Sequence, residues 1–205
     1  MSGARKSAED RREELVRAAI ALVARKGFAA VTLRDVAAEV GVAHGLIRHY
    51  FPSREALLAT AFDTAVRDEL AQLPPVGDDP LVALADWCTS SVQEHYLVWI
   101  DAWAEAPRDA ELAAMLRRHH LALDEHTAGL LRRACAAAGG RCEDPDDAAR
   151  QLTAMLDGLA VQVHVLGVLT PGEHDRIALA HAERLLGLAA GALADRRPAG
   201  AAPRA

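Results

Sequence analysis

The sequence predicts an all-α protein, in which an N-terminal three-helix module is joined to a larger helical body. Three observations carry that prediction. Aromatic residues make up only 4% of the 205 residues while Ala and Leu are abundant, a balance that favours helix over sheet. Apolar residues recur at helical spacing over stretches longer than strands usually span. Breakers such as Pro107, the pair Gly139 and Gly140, and Pro171 with Gly172 stand between those stretches.

Taken in order, residues 1–7 are polar, lack an apolar face and read as a mobile arm carrying Arg5 and Lys6. A first helix over residues 8–26 places Leu15, Ala19, Leu22 and Val23 on one face, and Gly27 ends it. The second helix has the clearest start: Thr32 as N-cap, Asp35 as capping-box partner, and Val31 with Val36 as a hydrophobic staple. It closes at Gly41, and Pro52 stops whatever follows, so two short helices flank a Gly turn. A long helix over residues 53–73 carries Leu57, Leu58, Phe62, Ala65, Val66 and Leu70 and stops at Pro74 and Pro75. The segment PPVGDDP, residues 74–80, reads as a linker. Further helices are expected near residues 81–105, 109–138, 146–168 and 172–195, with room for one break in each of the first two. An Ala, Pro and Arg-rich tail over residues 198–205 is expected to be disordered. The expected division is residues 1–54, residues 55–197 and the tail.

Charge is unevenly shared. Residues 1–54 hold 10 Lys plus Arg against 6 Asp plus Glu, whereas the rest hold 13 against 23, so a basic end hides in a chain of net charge −6. The basic end is the part expected to meet phosphate. No apolar run is long enough to span a membrane, and the charged start does not resemble a signal peptide, so a cytoplasmic protein is expected. Cys88, Cys135 and Cys142 are odd in number without a CxxC pair, and they read as reduced thiols.

Two short helices joined by a Gly turn define a helix-turn-helix, whose second helix enters the major groove. The stretch TLRDVAAEVGVAHGLIRHYFPSREALL, residues 32–58, preceded by LVRAAIALVARKGFAAV, resembles the N-terminal domain of TetR-family regulators. Within it Val36, Ala37, Val40, Ile47 and Phe51 are spaced to face the first helix and the start of the fourth. Thr32 and the amides behind it suit a phosphate. The resemblance implies phosphate contacts from Tyr50 and Arg54, and base reach for Arg34. Base reading falls to His44, Leu46, Arg48 and His49, with Arg suited to guanine and Leu46 to a thymine methyl, while Gly45 leaves room for close approach to DNA. His44 and His49 also read as plain surface histidines. Two positions depart from the family pattern: Ala43 stands where Ser or Thr usually caps the recognition helix, and Arg48 replaces a frequent Tyr.

Residues 95–120 with 153–163 resemble the C-terminal domain of the BetI-like subgroup, whose namesake answers to choline. Val92, Tyr96, Trp99 and Trp103 form one helical stripe, which reads either as ordinary core or as the lining of a ligand pocket, together with Trp87, His119 and Met155. Aromatic rings of this kind suit a quaternary amine through cation-π attraction. The polar residues His95, His119, His120, Asp157, Gln162 and His164 interrupt apolar stretches and read first as structural. A metal reading of His119, His120, Asp124 and His126 fails because four close residues on one helix cannot converge on an ion.

The expected helix from residue 148 to 168 is apolar almost all round and needs cover on two sides. The resemblance implies a two-fold dimer through the last two helices, with Leu152, Leu159, Val163, Leu166, Ile177, Leu185 and Leu188 as contacts; internal burial in a monomer is the alternative. The whole reads as a repressor that binds a palindromic operator in double-stranded DNA as a homodimer and is released by a small-molecule effector, with no cofactor. The helix over residues 53–73 is the expected lever. A ligand-independent regulator, an activator, or a helical enzyme with a basic module are the alternatives, though no catalytic triad, phosphate loop or metal signature supports the last.

Overall fold

Local capping explains where the helices begin. In the computed structural model, which describes residues 7–72, 79–90 and 96–196, α1 (Ala8–Lys26) starts on Ser7, whose hydroxyl accepts from the Asp10 amide at 3.0 Å while Asp10 accepts from the Ser7 amide at 3.1 Å. The helix α2 (Leu33–Val40) starts the same way on Thr32 and Asp35, and closes on Gly41 in the left-handed region at φ 73°. Behind the turn lies α3 (His44–Ile47), a single turn shorter than the stretch 44–50 offered for base reading, and Ala43 gives it no side-chain cap. The expected long fourth helix is α4 (Arg54–Gln72).

The second half continues with α5 (Pro80–Cys88), α6 (Tyr96–Glu105), α7 (Ala110–Ala138), α8 (Pro145–His164) and α9 (Pro171–Leu185), and short 3-10 turns at Ala106–Arg108 and Ala194–Arg196. Among the described residues there is no strand, and no helix is long and apolar enough to cross a membrane. Pro80 is the first residue of α5, capped by Asp79, rather than the end of a linker. The rest of the expected linker up to Asp78, the arm up to Lys6 and the tail lie outside the described residues. Whereas the expected helix over residues 109–138 had room for a break, α7 runs unbroken.

Two expected helices end early, each for a visible reason. The carbonyl of Val161 accepts from both Val165 and Leu166, and Gly167 follows at φ 61°, so α8 stops at His164 and not near residue 168. After α9, Gly187 turns the chain at φ 63°. The buried Glu183 carboxylate then accepts from the amides of Gly191 and Leu193 at 3.0 and 2.9 Å, folding the segment back so that Leu193 is fully buried. The helix expected to reach residue 195 therefore ends at Leu185.

By packing, the described residues fall into two units. One holds α1 to α4, α6 from Val98 and α7 as far as His119; the other holds the remaining residues. The expected border at residue 54 follows the motif, whereas these units follow contacts, and α4 packs with α1. The core of the first unit contains Leu15, Ala19, Leu22, Phe28, Val36, Ile47, Phe51, Leu57 and Phe62; Val40 is only half-buried. In the second, Leu84, Cys88, Leu131, Leu152, Leu156, Leu179 and Leu186 meet in one cluster.

Candidate functional site

The helix-turn-helix is anchored from within and leaves one side free. Val36, Ile47 and Phe51 are buried, which turns Arg34, His44, Gly45, Arg48 and His49 to solvent, with Leu46 and Tyr50 half-buried beside them. Arg25 pairs with Glu39 and Lys26 with Asp35, each at 2.9 Å, but among the described residues neither Arg34 nor Arg48 has a carboxylate partner. Two guanidinium groups thus stand exposed to solvent, each free to make planar, two-pronged hydrogen bonds. A Cβ on Gly45 would meet nothing within 4 Å, so the protein itself has room for a larger residue there.

Two of the expected phosphate contacts look different in three dimensions. Thr32 is exposed, but its amide donates to Asp35 at 2.8 Å, so the capping box already occupies that donor. Lys26 and the Thr32 donors hold the Asp35 carboxyl well below the usual carboxylate range. Arg54 is turned inward: its Nε donates to the Val31 carbonyl at 2.6 Å and its Nη2 to the Phe28 carbonyl. Through these two bonds Arg54 braces the turn between α1 and α2. A fork-shaped guanidinium satisfies two neighbouring carbonyls that the turn leaves without helical donors.

At the same turn, the Asp101 carboxylate on α6 accepts from the Phe28 amide. His119 Nε2 lies 2.9 Å from Asp63 on α4, which also pairs with Arg67. Burial, with Arg118 and Arg67 nearby, lowers the His119 pKa. Trp99 is 6% exposed and packs edge-on against Phe62, their centroids 5.0 Å apart, and Trp103 lies 6.2 Å beyond it. Core packing thus accounts for Trp99, and a pairing partner for His119.

The aromatic stripe is divided. Tyr96 belongs to the second unit, where its hydroxyl donates to Asp157 on α8. Burial pushes the Asp157 carboxyl up; the Tyr96 bond and His120 oppose this, and Asp124 adds to it. Trp87 stands 5.0 Å from the His126 ring, and Met155 is half-buried against the core cluster. Val92 and His95 lie outside the described residues. No group of three or more His, Cys, Asp or Glu among the described residues is placed to hold a metal ion.

Residues 81–187 match the family profile described as BetI-type transcriptional repressor, C-terminal, and residues 15–61 match that of bacterial regulatory proteins, tetR family. The chain belongs to the TetR family. It is a BetI-type transcriptional regulator, not an enzyme. The BetI regulator of Stenotrophomonas maltophilia is 29% identical over 167 residues, 77% of this chain and 83% of the relative. A solved TetR-family regulator from Rhodococcus sp. superposes with TM-score 0.73 at 23% identity, covering 87% of this chain and 99% of that one. A regulator from Saccharomonospora viridis, solved in complex with choline, gives TM-score 0.68 at 23% identity, covering 87% and 96%.

Of the contacts that the TetR resemblance implied for a dimer, Leu152 and Leu159 are 0% and 5% exposed, spent on the chain's own core, and offer no surface to a partner. Val163, Ile177, Leu185 and Leu188 are half-buried, and Leu166 is 60% exposed, beside Val165 at 55% and Val168 at 63%. Sequence reasoning missed Asp101, although a lone carboxylate inside the apolar run YLVWIDAWAE was its signal. Nothing local announced that Arg54 would reach back more than twenty residues.

Proposed function

We propose that the protein is a cytoplasmic repressor that binds a palindromic operator as a homodimer and leaves it when a small organic cation binds its C-terminal half. The observation that carries the DNA side is the face of Arg34, His44, Arg48 and His49, exposed on a buried scaffold and, among the described residues, free of acid partners. Arg48 and Arg34 would read base edges, Leu46 would pack on a methyl group, and Tyr50 with the Thr32 end of α2 would position the backbone.

Support for pairing comes from the apolar surface at the end of α8, where Val165, Leu166 and Val168 are each more than half exposed. Two recognition helices read an inverted repeat only when a symmetric contact fixes their separation. The effector then acts by differential affinity: it favours the arrangement in which the two modules are wrongly spaced. Asp101 and the His119–Asp63 pair bind α6 and α7 to the DNA-binding module and its fourth helix, so movement of those helices reaches the module directly. An effector of cationic character accords with the acidic second half of the chain and with the choline-bound relative.

The experiment is selection of preferred DNA in vitro, followed by binding and release assays on the selected site with candidate amines. A palindromic site bound by two protomers and released by a cation is expected. A site without symmetry, or bound by one protomer, refutes the dimeric reading. Tight binding indifferent to every metabolite indicates a ligand-independent regulator.

A further inference from the structure

The second unit contains a polar cluster that neither its core nor the capping of its helices uses. Thr153 and Asp157 stand one turn apart on the same face of α8. His120 and Asp124 stand one turn apart on α7, and both act electrostatically on the Asp157 carboxyl. Tyr96 donates to that carboxyl.

Two acceptors in this cluster go unmet. Among the described residues, Asp124 Oδ1 and Thr153 Oγ1 are buried without a hydrogen-bond partner, and Thr153 is only 7% exposed. Buried polar atoms in native proteins are nearly always satisfied, so a pair of orphans beside a second carboxylate marks a place where a ligand supplies what the fold does not. Its chemistry follows from the groups present. Two carboxylates repel an anion. The unmet Asp124 oxygen can only accept, so the ligand must donate. A quaternary ammonium group carries charge but no N–H, so its methyl groups donate nothing, and a hydroxyl on such a ligand would meet only one of the two orphans. A primary or secondary ammonium carries the charge and two or three donors.

We infer that Tyr96, Asp124, Thr153 and Asp157 form the cation-recognition end of the effector site, and that it takes a protonated primary or secondary amine. The ammonium donates to Asp124 and Thr153 and lies against the Asp157 carboxylate that Tyr96 holds in place. This inference rests on the reading that the C-terminal half binds a small effector.

The test is calorimetry on the full-length protein with two matched pairs, ethanolamine against choline and phenethylamine against its N,N,N-trimethyl derivative. Within at least one pair the ammonium compound should bind about tenfold or more tightly than its trimethylated partner, and D124N and T153V should each weaken it by about tenfold. D124N keeps the side chain's shape and removes the charge from a carboxylate whose Oδ1 is buried, so its melting temperature should equal or exceed that of the wild type. The inference is overturned if the trimethylated partner binds as tightly, if both variants bind like the wild type, or if no amine binds at millimolar concentration. Operator binding measured on the same samples separates the two failures. A protein that binds operator but no amine loses only the amine site, and one that binds no operator loses the regulator reading itself.

Discussion

Replacing Arg54 by Ala tests whether this side chain serves the fold or the DNA. In the structure it makes two charge-assisted hydrogen bonds, to the carbonyls of Val31 and Phe28. Bonds of that kind are worth about 1.5–3 kcal/mol each when buried. The side chain is 23% exposed, and solvent recovers part of the loss; about 2 kcal/mol in total is a reasonable expectation. For a chain of this size that corresponds to a fall in Tm of about 4–8 °C. The assay is thermal and urea unfolding at fixed protein concentration, because the apparent stability of the proposed dimer would depend on it. R54K sharpens the comparison: Lys keeps the charge but has no planar fork to span two carbonyls, so most of the stability loss should persist. Operator affinity is then measured against salt. A phosphate contact would reduce the salt slope by about 1 for each Arg removed, whereas a brace leaves the slope unchanged. An unaltered Tm together with a shallower slope in R54A would refute the inward role.

R48A should weaken the selected operator by about 1–3 kcal/mol and relax one base preference, while G45A, which meets nothing within 4 Å in the free protein, should leave Tm unchanged or higher and lose affinity only through crowding of the DNA. Gly140→Ala places a Cβ 2.5 Å from the Leu186 carbonyl oxygen, so backbone must move and a loss of about 1–3 kcal/mol is expected by urea unfolding; wild-type stability would contradict that packing. Burial pushes the Cys88 thiol up to about 12, so a thiol reagent should modify Cys135 and Cys142 in the folded protein and reach Cys88 only on unfolding; rapid labelling of all three would show the core to be open. L166E puts a charge on the exposed apolar segment just beyond α8, and sedimentation should show monomers that bind operator weakly; an intact dimer would move the interface elsewhere.

What the sequence by itself determined is whatever a few neighbouring residues decide. Thr and Asp at fixed offsets satisfy the first amides of a helix, so the start of α2 could be read to the residue, with Thr32, Asp35 and Gly41 in their expected roles, whereas Ser7, read as part of an arm, caps α1. The outward face of the helix-turn-helix was legible for the same reason, because a few buried positions on two short helices leave little choice about which residues face away. Tertiary structure alone decided the rest. Periodicity says that a stripe is buried but not against what, so Leu152 and Leu159 read like Leu166 although only Leu166 keeps surface. The stripe of Tyr96, Trp99 and Trp103 is continuous along one helix, yet its rings serve different packing units. A long flexible cation such as Arg54 can reach solvent or fold back onto distant carbonyls, and nothing within a helical turn selects between them. Asp101, Asp124 and Thr153 acquire meaning only from partners, or missing partners, supplied by chain far away in sequence.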